Sequence, residues 1–226
     1  MPVPNAMTTK APNVPRTTAK PQDTQRNDVR EALLSAAMKL AAESRDLSFS
    51  LRQLAEAADT STMSIYTQFG NREGLNRALS ARAFGLFADE LKRATADIDR
   101  KDVVPLLQRM AQAYRKFAQD HPSGFDLLFG DINSFDTVPP LSNQYEGLPS
   151  PSENGYVVYG LYYSAFETGV AQGVFRNDAS VRLVMDSFWA QLHGLVALER
   201  LGYVRSPQEA EDRFAYGIEA ILRGLK

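Results

Sequence analysis

The sequence predicts an all-α protein with a short helical head and a larger helical body. Apolar residues recur at three- and four-residue steps through most of the chain. No segment sustains the period-two alternation of a half-buried strand. Ser, Pro and Gly fall where helices would start and stop. At 226 residues, 44% hydrophobic and 23% charged, the chain has globular composition and the length for an adequate core.

The elements follow in order. Residues 1–25 hold five prolines (2, 4, 12, 15 and 21) with Thr and Asn, too little apolar surface to offset ordering, and predict a disordered tail. Val29, Leu33, Ala36, Ala37, Leu40 and Ala41 form one stripe of a helix from about Arg26 to Ser44. Ser50, with Gln53 three positions on, is a capping-box signal for a short second helix carrying Leu51, Leu54, Ala55 and Ala58. Asp59-Thr60 breaks it, and Ser61 caps a third helix reaching Phe69. Gly70-Asn71 ends that one, and a long helix follows from Arg72 to about Asp97.

Leu106, Leu107, Met110, Ala113, Tyr114 and Phe117 mark a helix over 103–120, stopped by His121-Pro122 and followed by a short apolar turn, Phe125–Phe129. Residues 130–152, with four prolines, read as a long loop of the functional or mobile kind. Three helices remain: 153–172, 178–201 and 207–225. The middle one is apolar on more than one face (Val181, Val184, Met185, Phe188, Trp189, Leu192, Leu195, Val196), as expected of a helix covered on two sides. The last carries Phe214, Ile218, Ile221 and Leu225 in a single stripe.

Several function classes are excluded as expectations. There is no cysteine, and His121 and His193 match no metal-ligand spacing, so no metal and no cofactor are expected. There is no Gly-x-Ser-x-Gly elbow and no phosphate-binding loop, which argues against an enzyme. No apolar run approaches membrane-spanning length, and the N-terminus lacks secretory-signal character, so a cytoplasmic protein is expected.

Two short helices joined by a three-residue turn, behind a longer helix, form a helix-turn-helix pattern. Two merely packed helices would give the same spacing, so pattern alone leaves both readings open. With Ile65 at zero on a helical wheel, Phe69 and Thr62 fall within about 60° and face inward, while Met63, Tyr66 and Thr67 lie opposite. A Met and a Tyr exposed among hydroxyls suit a DNA groove. Hydroxyls approach base edges, Met63 can touch a thymine methyl, Gln68 can read adenine, and Arg52 can reach guanine or a phosphate. Tyr66, Arg72 and the N-cap Ser50 are placed for phosphates.

The run ADTSTMSIYTQFGNREGL resembles the signature of TetR-type bacterial repressors, Gly-Val-Ser-x-x-x-Leu-Tyr-x-His-Phe-x-x-Lys-Glu-x-Leu. Asp59 stands for the turn glycine, which Asp replaces better than most residues. Thr60 stands for Val, Ile65 for Leu, Gln68 for His and Arg72 for Lys, while Ser61, Tyr66, Phe69, Glu73 and Leu75 match. The likeness continues upstream through REALLSAAMKLA and FSLRQLAEAA, covering about 28–80. It implies a DNA-binding domain over 26–82, with Tyr66 and Arg72 on phosphates and Arg52, Thr62, Met63, Ser64 and Thr67 facing the groove. The implied partner is a palindromic double-stranded operator bound by a homodimer.

Trp189-Ala-Gln-Leu-His193-Gly194 resembles the Trp-x-x-x-His-Gly element of one TetR-type subclass, and HPSGFDLLFGD (121–131) is similar to it too. The resemblance implies a regulatory domain over 83–226, with the last two helices forming the dimer interface. It also implies a small, largely apolar effector whose binding releases DNA. Phe125, Phe129, Tyr163, Phe166, Trp189 and His193 are the candidate lining of that effector site, capped by the 130–152 loop. A ligand-independent DNA-binding protein of the same fold is the alternative. The net charge of −2 divides unevenly: residues 1–82 carry 11 basic and 8 acidic side chains, residues 83–226 carry 14 and 19. The acidic balance belongs to the body, and the mildly basic head predicts a modest salt dependence of operator binding.

Overall fold

The computed structural model describes residues 21–44, 48–129 and 153–226. These residues contain nine α-helices and no strand: α1 (Pro21–Ser44), α2 (Leu51–Ala57), α3 (Thr62–Phe69), α4 (Arg72–Ala94), α5 (Val103–Asp120), α6 (Pro122–Phe129), α7 (Glu153–Ala171), α8 (Val181–Arg200) and α9 (Pro207–Gly224). Five of them start alike. Ser50, Ser61, Asn71, Ser180 and Ser206 sit in extended backbone and accept the N–H three residues on, satisfying a donor the helix itself leaves open. At Ser50 the capping box is complete, with Gln53 Oε1 accepting from the Ser50 N–H at 2.8 Å.

Four boundaries differ from the sequence expectation by more than one residue. α1 begins at Pro21, inside the expected tail, because proline is tolerated in a first helical turn, where its missing N–H costs nothing. The rest of that tail, 1–20, and the 130–152 loop lie outside the described residues. α4 stops at Ala94, where the Thr95 hydroxyl donates to the Leu91 carbonyl at 2.8 Å. The apolar turn at 125–129 is part of a full helix starting at Pro122, whose Phe125 N–H bonds the His121 carbonyl at 2.8 Å. α8 starts at Val181 because Ser180 caps it, while Asp178 pairs with Arg176 at 3.0 Å.

The head is α1–α3 with the start of α4, closed over Leu33, Ala37, Leu54, Ile65, Leu75 and Leu79, all buried. The body is the bundle α4–α9. α4 runs unbroken past the expected 82/83 division, and the buried side chains form one continuous cluster from Leu33 to Leu225. α6 touches both parts: its Ser123 hydroxyl, buried, donates to the Ala41 carbonyl of α1 at 2.7 Å while the helix packs on α4 and α5. No described helix is long and apolar enough to cross a membrane.

Candidate nucleic-acid interface and sensor core

The angle between α2 and α3 is set by the turn. Asp59 is the one described non-glycine residue with positive φ, at +48°, the left-handed conformation expected where Asp stands for glycine. Thr60 then donates to Ser64 Oγ at 2.9 Å, and Ser61 Oγ lies 3.1 Å from the same oxygen, so a chain of hydroxyls closes the start of α3. At the other end Gly74 permits close contact between helices. A β-carbon there would lie 1.9 Å from the Phe69 carbonyl oxygen.

This frame buries Ile65 and half-buries Phe69 beneath the Arg30 guanidinium, 4.7 Å from its ring. Met63 is 70% exposed and Tyr66 50%, with Thr62 and Thr67 exposed beside them. The wheel's inward Thr62 is therefore corrected. In the first turn its side chain clears the core that Ile65 enters, leaving it on the surface with Met63.

Other expected groove and phosphate residues are engaged within the chain. Gln68 donates to the Arg26 carbonyl at 3.2 Å, and so turns toward α1. Ser64 is half-buried in the hydroxyl chain, and Thr67 Oγ1 donates to the Met63 carbonyl at 2.9 Å. Arg52 pairs with Glu56 one turn on, Nε to Oε1 at 3.0 Å. Arg72 Nη1 donates to the Phe49 carbonyl at 2.7 Å, its guanidinium 4.7 Å over the Phe49 ring, and burial lowers its pKa. Ser50 Oγ is used by its cap.

In the body, four of the six expected effector residues come together around a fifth, Tyr114 of α5. The Tyr114 hydroxyl lies 2.8 Å from His193 Nδ1. Phe125 stacks on the imidazole at 5.8 Å and 9°, Phe129 meets it edge-on at 5.7 Å, and Trp189 lies 5.5 Å from it. Burial pushes the Tyr114 hydroxyl well up, helped by Tyr162 and opposed more weakly by Trp189 and Arg200. Burial, then the Arg200 charge, hold His193 below its ordinary value. The phenol keeps its proton and the imidazole is neutral, so the two share a hydrogen bond between uncharged groups. Arg200 itself is paired with Asp126 at 2.8 Å and lies 4.8 Å over Phe125.

Tyr163 and Phe166 do not join this cluster. Tyr163 stacks on Tyr159 at 5.9 Å, and Phe166 is fully buried between Phe175 and Phe188 at 5.5 and 5.3 Å. Their positions on α7 point them at other layers of the bundle, which aromatic density alone does not distinguish. Tyr114 was missed as a site residue because its spacing marks it as core. The available signal was its hydroxyl, which a buried apolar stripe cannot satisfy. A crevice of about 480 Å³, lined by Arg115, Glu199 and residues 204–207, lies outside the aromatic cluster.

α8 has one buried apolar face and scattered exposed apolar residues. Val184, Met185, Phe188, Leu192 and Val196 enter the core, while Leu183, Trp189 and Leu198 are exposed, as are Leu201, Tyr203 and, on α9, Tyr216. Its C-terminal turn is clamped by adjacent residues. Glu199 receives Arg115 Nε at 2.7 Å and Gln119 at 2.8 Å, and Arg200 reaches Asp126 of α6. Arg115 also bonds Glu211 of α9. Burial raises the Glu199 carboxyl, but its bonds from Arg115 and Gln119 outweigh that and leave its pKa lowered. No group of three or more His, Cys, Asp or Glu arranged for a metal occurs among the described residues.

Residues 33–79 match the family described as bacterial regulatory proteins, tetR family, and residues 107–221 match the tetracyclin repressor-like C-terminal domain. No curated protein sequence matches. Among solved structures, a protein of unknown function from Rhodococcus sp. RHA1 superposes at TM-score 0.68 with 22% identity, covering 87% of this chain and 95% of that one. The fatty acid degradation regulator FadR from Bacillus halodurans gives TM-score 0.62 at 18% identity, over 87% and 100%. RolR in complex with resorcinol gives 0.57 at 18%, over 89% of each chain. At these identities the likeness is one of fold.

Proposed function

The chain belongs to the TetR family of bacterial regulatory proteins, and on that premise we propose that it is a cytoplasmic, homodimeric repressor, not an enzyme. It binds a palindromic operator through α3 and lets go when a small, largely apolar ligand enters at the Tyr114–His193 cluster. The observation that carries this reading is the position of α6. One turn supplies Phe125 to the cluster, and Ser123, two residues earlier, holds α1 of the head. A ligand that parts the rings moves α5, α6 or α8, and α6 is bonded to the head. We place the Trp189–His193–Gly194 element in the corresponding subclass because its indole and imidazole share this cluster.

The mechanism is a shift of population between head spacings. Moving the dimer from 1:99 to 99:1 requires about 5.5 kcal/mol of differential ligand affinity. That regulators of this fold include one named for fatty acid degradation and one crystallised with resorcinol is consistent with an apolar effector. Phosphates are assigned to Tyr66, and Arg72 positions the start of α4 beside them. The test is retardation of the protein's own promoter DNA, with and without a panel of hydrophobic compounds. Tyr66→Ala with Arg72→Ala is expected to abolish retardation, and unchanged retardation would refute the interface. Calorimetry on the same panel separates a sensor from a ligand-independent DNA-binding protein, which would show no heat with any compound.

A further inference from the structure

The recognition helix carries no charged side chain: α3 reads TMSIYTQF. Of the long polar residues that ordinarily specify guanine or adenine, Gln68 and Arg72 are turned back onto the chain, while Arg52 of α2 pairs on the surface, 85% exposed. Gln68 is on the Arg26 carbonyl, Arg52 on Glu56 and Arg72 on the Phe49 carbonyl. The hydroxyls of Ser64 and Thr67 are committed to the turn and to the Met63 carbonyl. The most exposed large apolar side chain of α3 is Met63, 70% exposed in the first turn, the part of a recognition helix that meets base edges.

A thioether side chain gains little from water and can neither donate to nor strongly accept from a base. In the major groove its complement is the thymine 5-methyl, the apolar group presented there. We propose that base discrimination by α3 rests on Met63 packing against thymine methyls, so that the bases facing this helix are read by their methyl pattern. The proposal rests on the operator-binding reading above, and it names Met63 as the specificity residue.

The experiment uses the full chain and a duplex it selects from a random pool. Thymines of the half-site are replaced one at a time by uracil, which removes only the 5-methyl. Uracil at one or two positions is expected to weaken binding about fourfold, the weight of one buried methyl. Methylated cytosine at that position is expected to bind better than cytosine. Met63→Ala, at an exposed site that leaves folding intact by thermal melting, should bind thymine and uracil duplexes equally. Tyr66→Ala should weaken both alike. A uracil penalty that persists in Met63→Ala would overturn the proposal. So would wild-type binding indifferent to every uracil but sensitive to 7-deazaguanine. Retention of no duplex at all would overturn the operator reading as well, which separates the two failures.

Discussion

His193 is half-buried against Phe125, Phe129 and Trp189, and its imidazole is held neutral by that burial and by Arg200. The sign of its effect on stability follows. Above pH ~6.5 the imidazole is neutral folded and unfolded. As the pH falls through that value the unfolded chain takes up a proton that the folded one resists, so stability declines until the folded pKa is reached. Thermal melts from pH 8 to 5.5 should show this decline, and His193→Phe should flatten it. A variant as pH-sensitive as the parent would remove His193 as the cause. Glu199 acts in a separate, more acidic window. Its lowered pKa supplies stability present above about 4.5 and lost below it. The neutral imidazole and the pairing of Arg200 with Asp126 also leave the cluster suited to an uncharged ligand.

Helix starts in the head were legible because they are local. Ser50, Ser61 and the Gly70-Asn71 stop act within three residues of themselves, and a capping side chain states its own partner. The angle between α3 and α4 was not, since it depends on Gly74 facing the Phe69 carbonyl. Gly74→Ala would place a methyl where a backbone oxygen stands. It should cost more than the fraction of a kcal/mol that Gly→Ala ordinarily gains in a helix, and displace α3. The expected readout is a lower melting temperature with operator binding lost ahead of folding. Wild-type affinity at an unchanged melting point would contradict the packing described. In the body, Arg115 joins α5 to α8 and α9 through Glu199 and Glu211 with its side chain nearly buried. Arg115→Ala leaves Glu199 short of its main partner, and a loss of about 3 kcal/mol in urea unfolding is expected.

At the scale of the whole molecule, contacts distant in sequence govern what was and was not readable. The pairing of Tyr114 with His193 spans 79 residues, and nothing in the period of either helix announces it. The two apolar faces expected of α8 resolve into one: all the named residues but Trp189 are buried or packed on the core, because a broad stripe on a wheel does not say how far a core wraps a helix. Other apolar residues are exposed, Leu183 and Leu198 on α8, Leu201 and Tyr203 just beyond it and Tyr216 on α9. Isolated exposed apolar residues need no explanation, but Leu198, Leu201 and Tyr203 lie within six residues of one another at the end of α8. A second copy of the chain is the occupant that the homodimer reading assigns to this surface. Leu198→Glu places a charge at that surface without disturbing the core side of α8. Sedimentation should then show a monomer whose melting differs from the parent mainly through loss of its concentration dependence. Because a palindrome is held by two heads at once, the same variant should bind operator only as weakly as a single head, with half the salt slope. A Leu198→Glu chain that stays dimeric and binds normally would move the interface off this face.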